Sequence, residues 1–205
     1  MIAFDHIAIS GHTLEEAQAY VEEALGVSLQ PGGKHDVFHT HNALLGLEDG
    51  LYLEAIAADP DAPLPDRPRW FDLDRFAGAP RLTNWICRTQ TLEAALGKGP
   101  PGLGKPVHLS RGDLRWRMAV PEDGILPFDN CAPALIQWET EIHPVQLLKP
   151  SGIRLSALVV SHPQATALEQ ALADMLFDER VRFQVGPAGL RASFETPHGP
   201  REMAV

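Results

Sequence analysis

The sequence predicts an α+β protein assembled from repeated βαβββ modules. Short segments alternate between apolar and polar residues, as strands with one buried face do. An amphipathic helix with signals at both ends follows the first of these segments. The same order of elements recurs further along the chain. With 205 residues, the chain can form one or two domains with a hydrophobic core.

The first predicted module spans residues 1–58. Residues 2–10 alternate and indicate a strand. Thr13 and Glu16 match a capping box, and Gly26 suits a left-handed helix end. Beyond an expected loop at 31–33, the remaining strands are predicted near 36–47 and 50–57, and the longer one either continues or is divided by a bend.

Residues 59–78 are predicted to connect two modules, because their prolines interrupt any strand ladder. The aromatic residues in this stretch indicate that it packs against the protein and is not a free linker. A second, looser module is expected over 79–140, and a partial third over 153–205. Modules of this size cannot bury their own sheet faces, so each one must pair with another.

The composition excludes several functional classes. A formal net charge of −10 disfavours nucleic acid and anionic membrane surfaces as partners. The N-terminus does not resemble a signal peptide, and no apolar run is long enough to cross a bilayer. Cys87 and Cys131 form no disulfide framework. We therefore expect a cytoplasmic protein with a small-molecule ligand.

Two ionisable residues are predicted to share one sheet face. Alternation in the first strand places His6 opposite Ile7 and Ile9, and in the last strand of that module it places Glu54 opposite Leu53. A histidine and a glutamate meeting on a concave sheet could bind a divalent metal. The alternatives are an exposed glutamate and a hydrogen-bonded core histidine.

Several motifs resemble the glyoxalase-like domain of the vicinal-oxygen-chelate superfamily, which also includes bleomycin-resistance proteins and dioxygenases. They are FDHIAIS, THNALLGL, GLYLEAIA, the LPF and IQW stretches, and the following His143-Pro144. The resemblance implies a cupped mixed sheet with helices on the outside. It also implies a metal held by residues from the first and last strand of each module.

The resemblance assigns His6 and Glu54 as metal ligands in the first module and Gln137 as a ligand in the second. The fourth position falls on Trp85, which departs from the pattern because an indole N–H only donates. The third module offers serines there, which are poor ligands. The implied ion is Zn, Mn, Ni or Fe.

Other residues are candidates for catalysis or substrate binding. His41 belongs to a cluster with His35 and His39 that could supply a missing ligand or a general acid or base. Arg111 could bind a carboxylate or phosphate. Glu54 and His41 are thus the catalytic candidates, and the substrate-binding candidates are Tyr52, Trp85, Arg111 and Trp138.

Two functions remain open from the sequence. The first is a metal-assisted lyase, isomerase or dioxygenase acting on a small oxygenated metabolite, in which the metal acts as a Lewis acid. The second is a metal-free module that binds or sequesters a small aromatic or hydrophobic compound, with Phe4, Tyr52, Trp85 and Trp138 as stacking walls. A homodimer is expected in either case.

Overall fold

The computed structural model describes residues 1–204 and contains three α-helices and twelve strands in that range. The last residue of the predicted third module, Val205, lies outside the described residues. The helices are α1 (Leu14–Leu25), α2 (Leu92–Leu96) and α3 (Ala165–Leu172). The strands are β1 (Ala3–Ser10), β2 (Gln30–His35), β3 (Thr40–Gly46), β4 (Tyr52–Ala58), β5 (Arg81–Arg88), β6 (Lys105–Arg111), β7 (Leu114–Val120), β8 (Ala134–Trp138), β9 (Arg154–His162), β10 (Val181–Val185), β11 (Gly189–Thr196) and β12 (Gly199–Ala204).

An eight-stranded mixed sheet forms the centre of the molecule, in the order β2-β3-β4-β1-β5-β8-β7-β6. Strand β1 runs parallel to β4 and antiparallel to β5. The sheet curls so far that its two edge strands, β2 and β6, contact each other. The α+β class with a cupped mixed sheet is therefore confirmed.

Helix α1 has the predicted signals at both ends. The Thr13 side chain accepts a hydrogen bond from the Glu16 N–H, and Gly26 adopts a left-handed φ of 73°. Ala17, Val21 and Leu25 are buried, and the helix packs mainly on β4. This packing covers the outer, convex face of the sheet and leaves the concave face for a site.

A second sheet, in the order β10-β9-β11-β12, packs on the convex face near β5. Strands β11 and β12 both contact β5. Phe183 of β10 lies edge-on to Trp85 of β5, with ring centroids 6.5 Å apart. None of the helices formed by residues 1–204 is long and apolar enough to cross a membrane.

Two local predictions were wrong. Pro31, Gly32 and Gly33, predicted as a loop, lie within β2, where the pairing with β3 shifts register between Pro31 and Lys34. A proline is tolerated there because β2 is an edge strand. The final strand, β12, was not predicted, since its sequence GPREMA lacks an alternating pattern.

A candidate active site in the sheet cup

His6 and Glu54 face each other in the concave side of the sheet. Their strands, β1 and β4, are parallel neighbours, with Ala8 of β1 opposite Glu54. The distance between His6 Nε2 and Glu54 Oε2 is 3.7 Å, and both side chains are buried. The face assignment from sequence therefore brings this pair together as expected.

A register shift in β1 adds Asp5 to the site. The shift lies between Phe4 and His6, so strict alternation fails at this point. Phe4, predicted as a stacking wall of the site, does not line the cup and instead packs on Trp85 with ring centroids 6.0 Å apart. Asp5 is thereby placed beside His6, and its carboxylate accepts a 2.7 Å hydrogen bond from His6 Nδ1.

Asp5 is a fully buried carboxylate with four donors around it. Besides His6, these are Trp138 Nε1 at 3.2 Å, His143 Nε2 at 3.0 Å and Arg88 Nη1 at 3.5 Å. Burial by itself raises the pKa of Asp5, but the hydrogen bonds from His143 and His6 outweigh it and hold that pKa well below its usual range. Asp5 is therefore an anion that fixes the His6 ring.

The charge on His6 follows from its two carboxylate neighbours. Burial lowers the pKa of His6, but the hydrogen bond to Asp5 and the nearby Glu54 carboxylate more than reverse this and raise it above 6.5. Since Nδ1 is directed to Asp5, Nε2 is the nitrogen that faces Glu54 and the cup. The same orientation leaves Nε2 available to a ligand or a metal.

Glu54 is held on its other side by Asn42. The Asn42 amide donates to Glu54 Oε1. Burial raises the pKa of Glu54, but His6 and the Asn42 hydrogen bond lower it to about 2. A carboxylate with this pKa is a weak base at neutral pH, which favours a role for Glu54 in holding positive charge.

Asn42 connects the carboxylate to two further groups. Its Oδ1 accepts from Gly33 N–H at 2.9 Å and from Arg111 Nη1 at 3.0 Å. Its Nδ2 also lies 3.4 Å from His35 Nε2, and His35 Nδ1 lies 2.9 Å from Thr40 Oγ1. Burial lowers the pKa of His35 to about 4, so this ring is neutral at pH 7.

The remaining walls of the cup are mostly apolar. The Tyr52 ring stacks on His6 with centroids 4.2 Å apart. Trp70 and Phe71, from the connecting segment between β4 and β5, close part of the cup. The free space is about 20 Å³, enough for roughly one water molecule. The lining residues from the second half of the sheet are Arg111, Trp116, Met118, Ile136 and Trp138.

The structure places Tyr52, Arg111 and Trp138 in the cup wall, as the sequence suggested, but it does not bring Gln137 there. Gln137 lies on the convex face of β8, where its Oε1 accepts from Leu92 N–H and Arg117 Nη2, both at 2.9 Å. Its neighbour Ile136 faces the cup instead. The prediction of Gln137 as the third metal ligand was therefore wrong, because the register of β8 differs by one residue from the expected one.

Trp85 and His41 also lie away from the cup. Trp85 is fully buried between the two sheets, and its Nε1 donates to Cys131 O at 2.8 Å. His41 and Asn42 are consecutive on β3, so their side chains point to opposite faces, and Asn42 takes the cup side. Within the histidine cluster, His35 is the member that lines the cup.

Sequence reasoning missed Asp5, Asn42, Trp70 and Phe71. The β1 register shift conceals Asp5, because alternation assigns it to the opposite face. The aromatic content of the connecting segment was a usable signal for Trp70 and Phe71, since it indicated packing. For Asn42, the usable signals were its place in the THNALLGL motif and its position on the strand face opposite His41.

A divalent metal fits this site through two protein donors. His6 Nε2 and Glu54 Oε2 are the donors that would hold such an ion, which would supply Lewis-acid chemistry, and Asp5 lies behind His6 as a supporting carboxylate. Residues 1–204 contain no group of three or more His, Cys, Asp or Glu side chains arranged to hold a metal. Further ligands would come from water or substrate.

Comparison with protein families gives one decisive match. The model of the glyoxalase-like domain matches residues 4–176, which include the eight-stranded sheet and all residues of the cup. The chain belongs to the glyoxalase-like domain family. The resemblance of its motifs to the vicinal-oxygen-chelate superfamily is thereby confirmed.

A solved structure with a TM-score above 0.5 supports the fold. A hypothetical protein from Staphylococcus aureus superposes with a TM-score of 0.61 at 15% identity, covering 92% of this chain and 88% of that one. Methylmalonyl-CoA epimerase from Mycobacterium tuberculosis gives a TM-score of 0.42 at 19% identity, covering 66% of this chain and 85% of that one. A search of curated proteins gives no match.

Proposed function

We propose that the cup is the active site of a glyoxalase-type enzyme that acts on a small oxygenated group, with His6 and Glu54 at its centre. The observation that carries this proposal is the 3.7 Å approach of two buried ionisable groups. Burying two such groups together is costly unless their partners compensate. Perturbed, buried groups of this kind concentrate at functional sites.

Each residue around the pair has a definable role. Asp5 fixes the His6 ring so that Nε2 faces the cup. Asn42 holds the Glu54 carboxylate in place. Arg111 supports an acidic substrate, because a guanidinium binds carboxylates through paired hydrogen bonds. The apolar walls exclude water, which strengthens electrostatic interactions inside the cup.

A divalent ion held by His6 and Glu54 would act as a Lewis acid on a substrate oxygen. Two protein ligands make a weaker site than the three of typical catalytic zinc centres. Loss of the ion during purification is therefore expected.

Metal titration of the apo-protein tests this proposal. Zinc, manganese, nickel and ferrous iron are titrated into the wild type, a Glu54→Gln variant and a Glu122→Gln control, whose carboxylate is 81% exposed. We expect the Glu54 change to weaken binding at least about tenfold, or about 1.4 kcal/mol, and the control to match the wild type. Equal binding by all three proteins would contradict the metal role.

The second candidate is metal-free binding of a small compound. The number of aromatic rings in the cup favours it: Tyr52, Trp70, Phe71, Trp116 and Trp138 all line the space. Tryptophan fluorescence distinguishes the two candidates. A ligand that quenches the emission equally in wild type and Glu54→Gln, both without metal, would support sequestration.

A further inference from the structure

A second, larger cavity lies at the mouth of the cup. It is a groove of about 710 Å³ between the β2–β3 hairpin, the β6–β7 hairpin and residues 140–148. This volume lies within the roughly 300–1,000 Å³ of ligand pockets. Most of its lining is apolar, namely Pro31, Leu44, Leu114, Ile142, Pro144, Leu147 and Leu148.

Part of this apolar lining is open to solvent. Ile142 and Leu147 are 50% and 64% exposed. Exposed apolar side chains that adjoin a cavity with a polar rim mark binding surfaces more often than scattered ones do. The rim carries two carboxylates, Asp113 and Glu141, which disfavour ligands with several negative charges.

Arg111 lies at the junction of the two cavities and lines both of them. Its described hydrogen bond goes to the neutral amide of Asn42. In the part of the chain that the structure describes, no carboxylate oxygen lies within 4.0 Å of its guanidinium. The free donors of this guanidinium match the fork geometry of a carboxylate.

Two glycines of β2 make room for Arg111 and its partner. A Cβ at Gly33 would lie 2.7 Å from Arg111 Cδ, and one at Gly32 would lie 2.0 Å from Asn42 Oδ1. Only glycine allows such a close approach of the backbone. The side chains of Arg111 and Asn42 thus occupy space that larger residues in β2 would fill.

The groove also approaches the reactive pair of the cup. Leu44 in its wall is the cross-strand partner of Glu54. Since the cup holds only about 20 Å³, a substrate can place no more than a small end there. The body of the substrate must lie elsewhere, and the groove is the adjoining space.

We propose that the groove binds the apolar body of an amphipathic monocarboxylic acid whose carboxylate pairs with Arg111. The inference rests on the proposed function for the reaction at the carboxylate end of the ligand, which is the end that reaches the cup, while the binding itself does not require it. Amphipathic monocarboxylic acids are therefore the class of substrate that the cup would receive.

Calorimetric titration with decanoate tests the charge requirement. We expect one site per chain, with decan-1-ol and decylammonium binding at least about tenfold more weakly, because neither can form the charge-assisted hydrogen bonds that a carboxylate forms with a guanidinium. Arg111→Gln should remove this preference. Arg115→Gln is the control, since Arg115 is exposed and donates to the carbonyls of Gly112 and Leu114.

A second set of titrations tests the apolar body. Hexanoate should bind at least about tenfold more weakly than decanoate, because it buries four fewer methylene groups in the groove. Leu147→Asp should weaken decanoate binding about tenfold by placing a charge in the groove. Val185→Asp is the matched control, because Val185 is 66% exposed and belongs to the second sheet.

The inference is overturned if decanoate does not bind saturably, if decanol binds equally well, or if Arg111→Gln has no effect. It is also overturned if sedimentation shows a dimer that Leu147→Asp dissociates and decanoate does not, since a second copy would then occupy the groove. All titrations use chelator-treated protein. If decanoate binds but no metal site is found at His6 and Glu54, the proposed function alone is contradicted. If a metal site is found there but decanoate does not bind, this inference alone is contradicted.

Discussion

The two halves of the cupped sheet differ in chemistry although they are built from similar strand patterns. The half from β1 to β4 contributes the ionisable groups His6, His35 and Glu54. The half from β5 to β8 contributes Trp116, Met118, Ile136 and Trp138, with Arg111 at its edge. One half therefore carries the buried pair of His6 and Glu54, and the other forms a mostly apolar wall.

The difference shows how a repeated module can specialise without changing its backbone. At the last strand of the first half, Tyr52 and Glu54 face the cup, and at the last strand of the second half Ile136 and Trp138 do. Gln137 has taken a structural role on the opposite face, where it binds the Leu92 N–H at the start of α2. The comparison predicts that changes in the two halves have separable consequences.

The half from β1 to β4 is the polar half of the sheet, and the half from β5 to β8 is the apolar half. The largest effect on stability is expected from Asp5→Ala in the polar half. The change leaves His6, His143, Trp138 and Arg88 without their common acceptor, and removing one partner of a buried charge network costs about 3–5 kcal/mol. Denaturant unfolding measures this loss. Asp113→Ala, an exposed aspartate, is the control and should change stability by less than about 0.5 kcal/mol.

The pH dependence of stability should also originate in the polar half. The pKa of His6 is raised above 6.5, so its contribution is complete below pH 6.5 and is lost as pH rises through the folded-state value. The pKa of Glu54 is lowered from 4.5 to about 2, so its contribution is lost as pH falls through that range. Each tenfold change in proton affinity corresponds to about 1.4 kcal/mol.

Unfolding curves at a series of pH values check this prediction. His6→Gln should flatten the decrease above pH 6.5. His108→Gln, which changes a histidine of the apolar half that is 76% exposed, should retain the wild-type profile. A parallel decrease in all three proteins would show that the His6 network does not control stability in this range.

A smaller effect is expected from Ile136→His, which tests whether the apolar half can also supply a metal ligand. The new imidazole would face the cup opposite the pair and supply a third ligand, so zinc should bind about tenfold or more tightly. Gln137→His places the same group on the convex face and should leave zinc affinity unchanged. Equal gains in both variants would indicate adventitious surface binding.

The smallest effect is expected from Gln137→Ala. The change removes an acceptor for Leu92 N–H and Arg117, and a lost hydrogen bond of this type costs about 1 kcal/mol. Metal affinity should not change, because the side chain is outside the cup. Thermal unfolding measures the loss of stability, and metal titration measures whether metal affinity changes.

The sequence predicted the polar half better than the apolar half for a physical reason. Glu54 stands in β4, whose pairings with β1 and β3 have no register shift, so its face followed from the period of two. In the second half, matching motifs by sequence placed Gln137 and Trp85 in the cup, and a shift of one residue reversed both faces.

Other features depended on information that the sequence pattern does not contain. The β1 register shift that places Asp5 beside His6 depends on its pairing with β5. The closure of the cup by Trp70 and Phe71 depends on how the connecting segment folds back over the sheet. The capped helix α1, by contrast, was predictable from local signals alone.

Anomalous diffraction from crystals soaked in zinc tests the central claim most directly. If His6 and Glu54 form the functional centre, one strong peak should appear within about 2.0–2.2 Å of both His6 Nε2 and Glu54 Oε2. The peak should be absent from Glu54→Gln crystals treated in the same way. A well-ordered cup without a peak, or zinc bound only at surface histidines, would contradict the metal centre and favour the metal-free binding module.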